Sequence, residues 1–117
     1  MRASALGALR IAALAFPGAF ECYPFGPNET VFKAANRKMF LLCSEDGAGV
    51  VHTSVKLTPA DAEEALALPF VTVAAYVGRY GWVSTHITNE FELETTLQFI
   101  ATSHDLVTRK VSRARAK

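Results

Sequence analysis

The sequence has little cysteine and lacks any long apolar run. Only 2 cysteines occur in 117 residues, so disulfides cannot build this fold as they build small secreted scaffolds. No stretch of about 20 uncharged apolar residues is present, and we therefore expect no transmembrane helix and no membrane partner. Common metal-binding spacings such as C-x-x-C, H-x-x-x-H and H-E-x-x-H are missing, as is a phosphate-binding loop. The sequence thus predicts no metal site and no cofactor.

What is present suffices for one hydrophobic core. Hydrophobic residues make up 50% of the chain and charged residues 20%, which excludes a disordered chain. The length fits a single domain over residues 1–117. Within it we distinguish a basic C-terminal tail that begins at about residue 109.

Charge is distributed unevenly along the chain. All 11 acidic residues lie at or before Asp105. The last nine residues contain five basic side chains, namely Arg109, Lys110, Arg113, Arg115 and Lys117. A tail of this kind either contacts a polyanion or remains a solvated terminus.

The N-terminal segment is only superficially similar to a secretory signal. Arg10 interrupts the apolar run where such a signal should be uncharged. The spacing of Leu6, Leu9, Ala13 and Phe16 instead predicts an amphipathic helix that ends at Pro17. We therefore expect a cytoplasmic protein whose two cysteines remain thiols.

The rest of the chain alternates between strand and helix patterns. Residues 20–28 are rich in Pro, Gly and aromatic side chains and predict a loop. Strands are predicted over residues 30–34, 39–44, 50–57, 71–76 and 82–87. Thr58 and Pro59 begin a helix that runs to about Leu68, and Asn89 with Glu92 begins the last helix. The order helix–three strands–helix–two strands–helix predicts a two-layer α+β domain with a five-stranded antiparallel sheet.

Apolar periodicity also predicts the core. In the last helix the stripe comprises Leu93, Leu97, Ile100, His104, Val107 and Val111, and we interpret His104 as a packed histidine, not a ligand. The residues expected to be buried together are Leu9, Phe16, Phe32, Leu41, Val55, Leu66, Val83, Leu97 and Ile100.

Several short motifs carry a family resemblance. They are LAFPGA at residues 14–19, YPFGP at 23–27, VKLTP at 55–59, GRYGWV at 78–83 and SHDLV at 103–107. Together they span nearly the whole chain, which resembles the MmcQ/YjbR family. The resemblance implies a bacterial cytoplasmic protein with the same order of helices and strands. Members are often described as DNA-binding because their sheet resembles a double-wing domain, which is an argument from fold alone.

Nucleic-acid binding is the first functional hypothesis. Basic side chains supply most of the affinity for phosphate, and aromatic rings stack on bases. The candidate binding residues are Arg37 and Lys38 in the first hairpin turn, Lys56, Arg79, Tyr80 and Trp82, with Arg109, Lys110, Arg113 and Arg115 in the tail. Each has an ordinary alternative: a solvated turn, an ion pair of Lys56 with Asp61 or Glu64, or a sheet-face position for Trp82.

Two other hypotheses remain open. The apolar strand at residues 39–44 leaves a mixed outer sheet face, which suits a protein partner or a homodimer. An enzyme is the least favoured, because the hairpin loop at 45–49 places Cys43 and His52 on opposite faces of the sheet. His52 and His86 share a face if their strands are neighbours, but two further ligands for a structural zinc are missing. We therefore expect no enzymatic activity and no tight zinc binding.

Overall fold

The computed structural model describes residues 5–74 and 81–109. These residues form three helices and six strands: α1 (Ala5–Leu14), β1 (Phe20–Cys22), β2 (Thr30–Lys33), β3 (Met39–Glu45), β4 (Val51–Lys56), α2 (Pro59–Leu66), β5 (Val71–Val73), β6 (Trp82–Ile87) and α3 (Glu90–Thr108). The strands pair antiparallel in the order β1-β2-β3-β4-β6-β5. The helices pack on one face of this sheet, with α3 across β3, β4 and β6. The predicted two-layer α+β architecture is confirmed.

The sheet has one strand more than predicted. Phe20 lies opposite Lys33 and Cys22 lies opposite Val31, so the start of the predicted loop is an edge strand. Three residues are too few for a period of two to stand out beside the following Pro and Gly residues. At the other edge β5 is shorter than predicted. Residues 75 and 76 of that predicted strand lie outside the described residues.

Side-chain caps fix the starts of α2 and α3, as the sequence predicts. The Thr58 hydroxyl accepts a hydrogen bond from the Asp61 N–H at 3.1 Å, and the Asn89 side chain accepts one from the Glu92 N–H at 2.9 Å. The Glu92 carboxylate accepts a bond in return from the Thr88 N–H at 2.7 Å. These bonds satisfy amide groups that have no partner within a helix's first turn.

The core contains most of the residues expected there. Leu9, Phe32, Leu41, Val55, Val83 and Ile100 are buried, and Phe16 and Leu97 pack partly against them. The prediction for Leu66 is wrong, because its side chain is 39% exposed. Helix α2 has only eight residues and buries only Ala65 among them.

The buried face of α3 is rotated from the predicted stripe. It consists of Leu93, Thr96, Ile100, Ser103 and Val107, so two hydroxyl residues replace Leu97 and His104 at its centre. The Ser103 hydroxyl donates to the Phe40 carbonyl at 2.7 Å and accepts from the Lys56 N–H at 2.9 Å. The hydroxyls of Thr96 and Ser103 are buried and both form hydrogen bonds, which removes the usual cost of burying a polar group.

A bulge in β3 decides which residues face away from the helices. Phe32 pairs with Leu41 but Lys33 pairs with Met39, so Phe40 is an extra residue on β3. Phe40 and Leu41 both enter the core as a result. The outer face of β3 is therefore less apolar than simple alternation predicts.

Candidate functional site

The sheet face opposite the helices, here called the open face, has a polar centre. Along β4 and β6 the residues on this face pair directly: His52 with His86, Ser54 with Ser84, and Lys56 with Trp82. The alternate residues of both strands, including Val55 and Val83, are buried under the helices. This central polar strip leaves little apolar surface on these two strands for a partner protein.

Positive charge collects at one end of the sheet. In antiparallel pairs, the last residues of β2 and β4 lie beside the first residues of β3 and β6. This end, here called the basic end, comprises Lys33, Arg37, Lys38 and Lys56. The predicted residues Arg37, Lys38 and Lys56 thus lie at the same end of the sheet, although they come from different segments. Lys33 was missed as a binding candidate, although the alternation of β2 places it on the open face.

The β2–β3 turn is tightly built and presents its cations to solvent. Arg37 has a positive φ of 73°, and its N–H donates to the Ala34 carbonyl at 2.8 Å. The Asn36 side chain accepts from the Lys38 N–H at 3.0 Å and donates to the Val107 carbonyl at 2.9 Å. These bonds anchor the turn to the C-terminal end of α3 at Val107, two residues before Arg109, where the basic tail begins.

The cations of the basic end have no carboxylate partner among the described residues. In the described residues, ion pairs join Arg10 to Glu21 and Arg109 to Asp105, and the His52 ring contacts the Asp46 carboxylate. The alternative pairing of Lys56 with Asp61 or Glu64 does not form. Arg109 is exposed, but Asp105 lies 2.5 Å from it and offsets its charge.

The aromatic and tail candidates are placed less favourably or lie outside the described residues. Trp82 is only 8% exposed, which fits the alternative of a packed sheet aromatic. Arg79, Tyr80, Lys110, Arg113 and Arg115 are not among the described residues. Ala74 and Gly81 flank the part of the chain that contains Arg79. Both lie at the basic end, because the Ala74 N–H donates to the Trp82 carbonyl and the Gly81 carbonyl accepts from the Leu57 N–H.

The other end of the open face carries a histidine pair, His52 and His86. Their Nδ1 atoms lie 2.7 Å apart. His52 Nε2 lies 2.9 Å from Asp46 Oδ2, and His86 Nε2 lies 3.2 Å from the Thr72 hydroxyl. A continuous row of hydrogen bonds thus crosses three strands, from the β3–β4 turn to the edge strand β5.

The surroundings of the histidine pair are polar and acidic. Two backbone amides, of Ala48 and Val50, donate to Asp46 Oδ1. The hydrogen bond from His52, and then these two bonds, lower the pKa of Asp46. Burial, and then the proximity of His52, lower the pKa of His86. A groove of about 130 Å³ opens beside the pair, and its lining includes Glu29, Ser44, Ser54 and Ser84.

The thiol–imidazole pair is excluded by the strand register. Cys43 lies opposite Thr53, and His52 lies opposite Ser44. This register is shifted by two residues from the predicted pairing of Cys43 with Val51, and a shift of two keeps each side chain on its face. Cys43 and His52 are therefore on opposite faces, as predicted. Burial, with a smaller contribution from Glu21, raises the pKa of Cys43 to about 12, so its thiol is a poor nucleophile.

The third histidine packs against aromatic rings. The His104 ring stacks on Phe16 with their centroids 3.9 Å apart, and it meets the edge of Phe40 at 4.9 Å. The predicted packing role of His104 agrees with this position.

The sequence and the fold are both similar to known proteins. The sequence model of the YjbR family matches residues 14–106. The chain belongs to the YjbR family. Among solved structures, the Deinococcus radiodurans protein DR2400, which carries a DUF419 domain, is 23% identical, with a TM-score of 0.76 over 93% of this chain and 83% of that one. A Pseudomonas syringae protein is 18% identical, with a TM-score of 0.68 over 89% of this chain and 97% of that one.

These similarities define the fold and leave the activity open. No protein of curated function matches the chain. At such low identities the two structures support the shared YjbR-type architecture and nothing about ligands. Among the described residues of this YjbR-family chain, no helix is long and apolar enough to cross a membrane.

Proposed function

We propose that this YjbR-family domain binds nucleic acid through the basic end of its sheet, and that it acts by binding and not by catalysis. The observation that carries the proposal is the position of Lys33, Arg37, Lys38 and Lys56 at one end of the sheet, without a carboxylate partner in the described part of the chain. A phosphate at this end would therefore not compete with a bound carboxylate. We expect the sugar-phosphate backbone of a nucleic acid to contact these side chains at the tight β2–β3 turn and along the sheet end beside it.

The distribution of acidic residues limits the contact to this end. All 11 acidic residues are among the described residues, against six of the 12 basic ones. Asp61 and Glu64 line a groove between α2 and α3 on the helix side, and Asp46 and Glu29 lie near the histidine pair. Among the described residues, no carboxylate pairs with a cation of the basic end, and we expect a narrow ligand such as a single strand to fit there better than a long duplex.

Binding of fluorescent single- and double-stranded oligonucleotides over a salt series tests the proposal. Arg37→Ala with Lys38→Ala, Lys56→Ala and Arg79→Ala should each weaken binding without a large loss of stability. Each lost phosphate contact should reduce the slope of log K against log salt by about 0.7 on single strands.

Arg10→Gln is the matched control. It removes one positive charge from the helix side, where Arg10 pairs with Glu21, and should leave binding nearly unchanged. The proposal fails if no salt-dependent binding occurs at about 50 mM salt, or if Arg10→Gln weakens binding as much as Lys56→Ala does.

A protein-binding or homodimer function is the second candidate, and one observation favours it. Edge strand β1 and the loop after it expose Phe20, Tyr23 and Phe25, the last at 65%. Exposed aromatics beside an unpaired strand edge suit an interface. Light scattering after size exclusion distinguishes the candidates: a dimer that Phe25→Ser converts to a monomer supports this one.

A further inference from the structure

We propose that the histidine pair is a binding site for one divalent transition-metal ion, held by the Nδ1 atoms of His52 and His86. The two atoms face each other at 2.7 Å across neighbouring strands. Both rings are half-buried on the open face, so their rotamers are restricted but an ion from solvent can reach them.

The partners of the other ring nitrogens support a metal site. A histidine that binds a metal usually donates its second ring N–H to a carboxylate, a carbonyl or a hydroxyl, which orients the ring. His52 Nε2 has the Asp46 carboxylate at 2.9 Å, and His86 Nε2 has the Thr72 hydroxyl at 3.2 Å. Both Nε2 atoms therefore have acceptors, so each Nδ1 atom can present a lone pair to a metal ion once the proton between the two rings has moved.

The two imidazole rings can change from the hydrogen-bonded pair to a metal-bound pair by moving one proton. Without metal, His86 Nδ1–H donates to His52 Nδ1, while the Thr72 hydroxyl donates to His86 Nε2. When the ion enters, the His86 proton moves to Nε2 and is donated to the Thr72 oxygen, so the hydroxyl changes from donor to acceptor. Both rings stay neutral and no net proton is lost. At a right angle between the two bonds, metal–nitrogen distances of about 2.0–2.1 Å place the Nδ1 atoms about 2.9 Å apart, so the rings separate slightly and tilt away from the direct line of their hydrogen bond.

The remaining coordination positions belong to water or an exogenous ligand. Within residues 5–74 and 81–109, no third His, Cys, Asp or Glu converges with the pair. The groove of about 130 Å³ beside it is lined by the hydroxyls of Ser44, Ser54 and Ser84, which leaves room for bound water. Two imidazoles and water favour Cu²⁺ most strongly and bind Zn²⁺ more weakly. This agrees with the expectation of no tight zinc binding, but it departs from the expectation of no metal site.

Calorimetric titration of the tag-free protein with Cu²⁺, and separately with Zn²⁺, tests the proposal. We expect one Cu²⁺ per chain, with tighter binding than Zn²⁺ and an electron paramagnetic resonance spectrum that shows two coordinated imidazole nitrogens. His52→Gln and His86→Gln should each abolish this complex. His104→Gln removes a histidine far from the pair and should leave it unchanged.

Two further variants test the outer partners without removing a ligand. Asp46→Asn and Thr72→Val should each weaken Cu²⁺ binding by about tenfold or more, while thermal unfolding confirms that both remain folded. The proposal is overturned if no one-to-one complex forms, or if His52→Gln and His86→Gln bind Cu²⁺ like the original chain. The pair would then be a hydrogen-bonded contact only. Because no nucleic acid is present, failure here is independent of the proposed function.

Discussion

At the scale of single residues, two hydroxyl groups on α3 connect the helix layer to the sheet. Thr96 and Thr85 lie 3.1 Å apart, and Thr85 lies 2.6 Å from Thr53, so one row of hydroxyls links α3, β6 and β4. Ser103 bridges β3 and β4 beyond their last paired residues, where the β3 bulge separates them. Because Thr96 and Ser103 are buried in order to make these hydrogen bonds, the apolar stripe in the sequence predicted the wrong rotation of α3.

The Ser103 bridge gives a stability prediction. Ser103→Ala should lower the free energy of unfolding by roughly 1–3 kcal/mol, because it leaves the Phe40 carbonyl and the Lys56 N–H without their shared partner. Thr102→Ala, at a half-buried position one residue earlier on α3, should cost clearly less. Urea unfolding of both variants measures the difference, and equal losses would show that the bridge contributes nothing.

The two cysteines should differ in reactivity. The pKa of Cys43 is raised to about 12 by burial, so at pH 8 almost none of it is thiolate, whereas Cys22 is half-buried. A thiol reagent should therefore modify one cysteine per native chain, and the second only after unfolding. Cys22→Ser should eliminate the fast phase. A fast phase that survives this substitution would contradict the burial argument.

At the scale of helices and strands, the sequence predicted those features that are determined by residues close together in the chain. The caps at Thr58 and Asn89 and the alternation in β6 are contained in a few consecutive residues, and they were predicted correctly. The β3 bulge and the neighbouring positions of β4 and β6 depend on pairing between distant segments. His52 and His86 are 34 residues apart, and no motif joins them. Only the sheet order brings them together.

The packing of His104 on α3 against Phe16, which follows α1 in the chain, should make stability depend on pH. Burial lowers the pKa of His104 in the folded chain, below the value of about 6.5 expected when unfolded. Folding thus favours the neutral ring. Its contribution to the free energy of unfolding is complete above about pH 6.5 and is lost as the pH falls toward and through the lower pKa of the folded chain. Thermal midpoints between pH 7.5 and about pH 5 should fall less steeply in His104→Phe, which keeps the stack on Phe16 but cannot be protonated. Parallel curves for the two proteins would contradict this.

At the scale of the whole molecule, the described part of the sheet carries opposite charges at its two ends. Lys33, Arg37, Lys38 and Lys56 lie at one end, while Asp46 and Glu29 flank the histidine pair at the other. A polyanion and a metal cation would therefore be attracted to different ends of the same sheet. The two proposed sites can be tested separately, since a charge removed at one end does not touch the side chains of the other.

The tail allows the last test of this polarised arrangement. Residues 113–117 lie outside the described residues, but no apolar periodicity continues past Val111 in the sequence, so they have no pattern for packing on the core. Deleting Arg113–Lys117 should leave the thermal midpoint nearly unchanged. It should also weaken oligonucleotide binding and flatten its salt slope, because the tail continues from the end of α3 beside Arg37 and Lys38. A chain of full length with Gln at positions 113, 115 and 117 separates charge from length and should behave like the deletion. A midpoint lower by many degrees in the deletion alone would show that the tail packs on the domain, and unchanged binding in both would remove the tail from the proposed interface.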